Sequence, residues 1–120
     1  MGLQVDIRHT NTVTVVALTG RVTLGEEASV LRDALREVAK EGQKNVLLDL
    51  NGVTYLDSTG LGVLVSSFAT ITNAGGHLKL VNLNSRVKDL LLITKLYAVF
   101  EIFDDEIAAA ASFFEPAAAV

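Results

Sequence analysis

Asn45-Val46-Leu47-Leu48-Asp49-Leu50 is a nearly unbroken apolar run bounded by Gln43-Lys44 before it and Asn51-Gly52 after it. A strand that faces solvent on one side alternates polar and apolar residues, so a continuous run of this length marks a strand covered on both faces. Such a strand needs helices to cover it, and the flanking sequence supplies them. Upstream, Glu26 to Glu41 places Val30, Leu31, Ala34, Leu35 and Val38 on one stripe with charges opposite. Acidic Glu26 and Glu27 open that helix and Gly42 closes it. Downstream, Asn51-Gly52 reads as a turn and Tyr55-Leu56 as a short return towards the sheet. A second helix is expected over Thr59 to Asn73, with Leu61, Leu64, Val65, Phe68 and Ile71 or Thr72 facing inward and Gly75-Gly76 stopping it.

The rest of the chain extends this pattern in both directions. Gln4 to Arg8 alternates and Val13 to Thr19 is rich in Val and Thr, so both read as strands, joined as a hairpin through His9-Thr10-Asn11-Thr12. Leu78 to Leu83 is a further strand. Asn84 or Ser85 caps a third helix carrying Val87, Leu90, Leu91 and Thr94. Phe100 to Phe103 is a short last strand, and Asp104, Asp105 and Glu106 precede a helix from Ile107 to Phe114 that Pro116 ends. Alternating strands and helices require a largely parallel sheet. The expected fold is therefore a single α/β domain: a mixed, mostly parallel β-sheet packed with about four α-helices, begun by a β-hairpin. Residues 1–115 form the domain and 116–120 a frayed tail.

Composition narrows the function. A chain of 120 residues, half of them apolar, can bury its own core. Ten basic residues against fourteen acidic ones leave a net charge of -4, which disfavours nucleic acid as a partner. All ten basic residues lie before Leu96, and the segment from Leu96 onward carries five acids and no base. With no cysteine and only His9 and His77, thiolate chemistry is excluded and a metal centre is not expected; no cofactor is called for. No run is long enough to span a membrane and residues 1–10 make no signal peptide, so a cytoplasmic protein is expected.

One segment has chemical character: Asp57-Ser58-Thr59-Gly60-Leu61-Gly62, between a buried strand and a helix start. Helix N-termini present free N–H groups there. A plain N-cap explains one of Asp57 and Ser58. It does not explain two glycines in the first turns, each costing about 0.8–1 kcal/mol relative to alanine. Gly60 and Gly62 point either to close approach by another surface or to tight packing of the helix on its own sheet. A nucleophile elbow would need glycine where Leu56 stands, and a Ser58 hydrolase would need His9 or His77 beside it. No phosphate-binding loop or dinucleotide fingerprint is present. Aspartic proteases place Asp directly before Thr-Gly or Ser-Gly, and a receiver-like Asp57 lacks the companion carboxylates that hold Mg²⁺. A charge switch fits better. Phosphate on Ser58 would add about -1.5 to -2 charges at a helix start that tolerates them, and would repel a partner packed over the glycines.

Tyr55-Leu56-Asp57-Ser58-Thr59-Gly60-Leu61-Gly62-Val63-Leu64 resembles the phosphorylation-site motif of the STAS domain family, the bacterial anti-sigma factor antagonists. The resemblance runs from Val13-Thr19-Gly20 through Gly75-Gly76-His77-Leu78-Lys79-Leu80 to Ile93-Thr94-Lys95-Leu96. It implies that Ser58 accepts phosphate from a partner kinase that doubles as an anti-sigma factor. The unphosphorylated form would bind that kinase and free the sigma factor, and a serine phosphatase would reset the switch. Asp57 would be the supporting carboxylate, and Thr59, Gly60, Leu61 and Gly62 would shape the docking surface. The resemblance implies that Arg21 and Thr23 would lie in a loop that helps meet the partner, with Arg21 where many members carry an acid. By this reading the protein is no enzyme, and it is a monomer or weak homodimer. The alternatives are a constitutive STAS adaptor, serving a lipid-transport ATPase or a sensory scaffold, and a Ser58 hydrolase.

Elsewhere, His77 and Lys79 alternate with Leu78 and Leu80 and are expected on the solvent face of a strand. Arg86 and Lys88 read as an exposed polar face. Leu90 to Ile93 exceeds one helix stripe, and burial from both sides is the expectation. Phe113 and Phe114 are expected to anchor the last helix.

Overall fold

The structure, a computed structural model, describes residues 2–114. The elements are β1 (Leu3–Thr10), β2 (Val13–Val22), α1 (Glu26–Lys40), β3 (Asn45–Leu56), α2 (Ser58–Asn73), β4 (His77–Val81), α3 (Ser85–Ile93), β5 (Ile102–Phe103) and α4 (Glu106–Ser112), with a 3-10 turn at Leu96–Ala98 before β5. The five strands form one sheet in the order β1-β2-β3-β4-β5. The β1–β2 pair is antiparallel and the other three pairs are parallel. This is the expected mixed α/β domain with its leading hairpin.

The period-2 alternation of the strands assigns the two faces. Val16, Leu18, Val46, Leu48, Leu50, Leu78 and Leu80 turn to one side and form the main core with Leu31, Leu35, Leu61, Leu64 and Leu91 from α1, α2 and α3. Val13, Val15, Leu47 and Val81 turn to the other and are covered by Ala109 of α4. Phe68 and Phe100 meet edge to face with centroids 5.3 Å apart, closing the β5 end of the main core.

Five expectations are corrected. Asn51-Gly52 is not a turn: β3 runs through it for 12 residues, and the mismatch with β2 is absorbed by register shifts between Ala17 and Thr19 and between Gly20 and Arg21. Bulges of this kind kink a strand without ending it. Lys79 is not on a solvent face but 7% exposed, because α4 lies over that side of β4. Its ammonium sits 4.7 Å from the Phe113 ring centroid and donates to Ser112 Oγ at 2.9 Å. On α2, Ile71 rather than Thr72 takes the last inward position, Val63 and Ser67 are buried in addition, and Val30 of α1 is exposed. Leu92 and Ile93 are exposed: α3 buries Val87 and Leu91 and packs Leu90 partly against the core, turning the next two residues outward. Phe100 precedes the last strand, and Phe114 is exposed while Phe113 packs against the sheet. Pro116 and the expected frayed tail lie outside the described residues.

Candidate functional site

The C-terminal ends of β2 and β3 deliver the loop Thr23-Leu24-Gly25 and the start of α2 to one edge of the domain. Parallel strands place all such loops together, which is where α/β domains build their sites. Asp57, in extended conformation, is the N-cap of α2. One carboxylate oxygen accepts from the Gly60 N–H at 2.9 Å, and the other accepts from the Leu24 N–H at 3.0 Å. The Asp57 N–H in turn donates to the Val22 carbonyl at 3.2 Å. Asp57 therefore caps a helix and fastens the preceding loop to it. The backbone N–H of Gly60, more than any other group, holds the Asp57 carboxyl below the ordinary aspartate range, with the Leu24 N–H adding to it.

Ser58 follows as the first helical residue, exposed to solvent, with Thr59 half-buried beside it. The two glycines separate cleanly. A Cβ on Gly60 would come within 2.4 Å of the Val22 carbonyl oxygen and 2.7 Å of Leu56 Cδ1, so this glycine lets α2 sit down on its own sheet. A Cβ on Gly62 would meet nothing within 4 Å. Gly62 is exposed, one turn on from Ser58, and no internal contact accounts for it. Leu61, by contrast, is 5% exposed and belongs to the main core, supporting the surface from beneath.

Arg21 is not in a loop as expected but in β2, which runs on past Gly20 to Val22; it pairs with Tyr55 of β3, its guanidinium 5.9 Å from the ring centroid. Thr23 donates its hydroxyl to Glu27, tying the loop to α1. Arg21, Tyr55, Leu24, Ser58 and Gly62 thus form one exposed edge around the buried Gly60 and Leu61. Sequence reasoning missed Leu24 and Tyr55, which are 75% and 43% exposed. Leu24, a single apolar residue between Thr23 and Gly25 in a turn, was the available signal. It also missed a cleft of about 480 Å³ between Tyr55 and Leu56 of β3 and Arg86, Leu90 and Ile93 of α3.

A hydrolase reading does not survive the register. His9 pairs with Thr14 and His77 with Asn45, both at the start of the parallel strands. Ser58 follows their far end, roughly 35 Å away at the usual rise per residue. Neither imidazole can serve as its base. Among the described residues there is no cluster of acids or histidines fit to hold a metal, and no helix is long and apolar enough to cross a membrane.

The STAS domain family model matches residues 4–109. An anti-sigma-B factor antagonist of Bacillus subtilis (strain 168) is 36% identical over 102 residues, covering 85% of this chain and 92% of the relative. Among solved structures, an anti-sigma factor antagonist from Mycobacterium paratuberculosis superposes with a TM-score of 0.86 at 19% identity, covering 95% of this chain and 96% of that one. The Bacillus cell fate determinant SpoIIAA in its phosphorylated form superposes with a TM-score of 0.71 at 14% identity, covering 91% and 98%.

Proposed function

Because the chain belongs to the STAS domain family, we propose that it is an anti-sigma factor antagonist switched by phosphate on Ser58. Unphosphorylated, it sequesters a serine-kinase anti-sigma factor and so releases a sigma factor. The kinase phosphorylates Ser58 and frees itself, and a serine phosphatase restores the binding form. The proposal places this cycle in the bacterial cytoplasm, with no catalytic group contributed by this chain.

The observation that carries the reading is the pairing of Ser58 with Gly62 on one exposed turn of α2. An acceptor hydroxyl must reach a kinase, and Ser58 stands free of the core. A partner must then approach closely enough to sense the phosphate, and Gly62 leaves the helix backbone bare next to it. The helix N-terminus stabilises the dianion, so the fold persists while the partner is repelled. Asp57, already negative, strengthens that repulsion. Arg21, Leu24 and Tyr55 supply the charged and apolar contacts around this centre, and Thr23 and Thr59 fix the two segments that carry them. The name of the Bacillus subtilis relative supplies the partner class.

Binding of the anti-sigma factor to Ser58→Asp and Ser58→Ala chains tests the reading. Ser58→Asp is expected to weaken binding strongly and Ser58→Ala to leave it nearly intact. Tight binding that survives Ser58→Asp would replace the switch with a constitutive adaptor.

A further inference from the structure

The geometry points to a second site, for a phosphate dianion, in the cleft where α1 crosses beside α2. A pocket of about 90 Å³ is lined there by Arg32, Leu35 and Arg36 of α1 and by Ser66, Ser67 and Thr70 of α2. That is room for about three water molecules, or for one tetrahedral oxyanion. Leu35, fully buried, makes its floor.

Three features select an anion. Arg32 and Arg36 stand one helical turn apart on the same face of α1, and neither forms an ion pair among the described residues. The helix they face cannot pair with them: Ser58–Asn73 contains no Asp or Glu. Asp33 and Glu37 lie about 100° further round α1 and do not line the cleft. Ser67 is 7% exposed, yet among the described residues its hydroxyl donates to no protein group, and it is not sealed from solvent. Ser67 lines this cleft. Ser66 and Thr70 donate to the Val63 and Ser66 carbonyls of their own helix. The free donors are therefore two guanidiniums and one hydroxyl around a space of oxyanion size. Arginine forks match phosphate oxygens with two parallel hydrogen bonds each. The phosphate is either free or the end group of a small phosphomonoester.

Titrating the ¹⁵N-labelled full chain with inorganic phosphate, at constant ionic strength, tests the site by amide shifts. Saturable shifts confined to residues 32–36 and 66–70 are expected. Arg32→Gln, Arg36→Gln and Ser67→Ala should each weaken binding roughly tenfold or more, since a charge-assisted bond is lost. A parallel titration with ribose 5-phosphate separates the sources: equal affinity assigns the site to phosphomonoesters, and binding of inorganic phosphate alone assigns it to the free ion. Shifts that do not saturate with either probe, or that persist unchanged in the arginine variants, would overturn the assignment.

Discussion

The Asp57 carboxylate reaches across 33 residues to accept the Leu24 N–H at 3.0 Å, while its second oxygen caps α2 through Gly60. One side chain thereby locks the loop after β2 to the helix that begins with Ser58. The two sides of the proposed docking edge are thus tied to each other. Asp57→Asn keeps one acceptor oxygen but turns an N–H₂ group towards the other donor. Faster amide hydrogen exchange at Leu24 and Gly60 is expected in this variant, with the remainder of the sheet unchanged.

Asp57 also makes stability depend on pH. Its folded-state pKa lies below the unfolded one, so its contribution is fully present above about pH 4 and lost as pH falls through the folded value. Urea midpoints of the native chain and Asp57→Asn, measured from neutral pH downward, should converge below about pH 4. A gap that stays constant into strong acid would mean the carboxylate is not the group responsible.

The glycines should respond in opposite directions. Gly60→Ala forces a methyl against the Val22 carbonyl and Leu56 and should destabilise the domain. Gly62→Ala has open space and removes a helix-interior glycine, so it should stabilise by about 0.5–1 kcal/mol. The same Gly62→Ala chain should bind the anti-sigma factor more weakly. Denaturant unfolding and a binding titration on the two variants read both effects.

Lys79 holds α4 against the sheet through Phe113 and Ser112. Lys79→Ala forfeits the cation–π contact, at about 0.5–2 kcal/mol, together with the packing of its stem. Lys79→Met keeps the stem and should recover part of the loss. Thermal unfolding of the two variants distinguishes charge from packing.

How far these features were legible in the sequence depends on whether neighbours in the chain or neighbours in space decide them. Helix α1 and the continuous apolar run of β3 follow from local periodicity, and the α/β architecture follows from their alternation. That α2 is capped at Asp57 or Ser58 was legible in the same way, but not that Asp57 is the cap and Ser58 already helical. Asn51-Gly52 looked like a turn because turn chemistry is local, whereas the bulged pairing with β2 that keeps β3 extended is not. Lys79 kept its place in the strand alternation, but only the path of α4 decides that this face is covered. The Ser58 motif marked out the candidate site and both glycines. It could not tell Gly60 from Gly62, since that distinction rests on where Val22 comes to lie.

The account stands most directly on the fate of Ser58. The full chain, incubated with ATP and a serine-kinase anti-sigma factor from the same cell, should acquire a single phosphate. Mass spectrometry should place it on Ser58, and the phosphorylated chain should release the kinase. Phosphate elsewhere, or phosphate on Ser58 with binding undiminished, would contradict the switch.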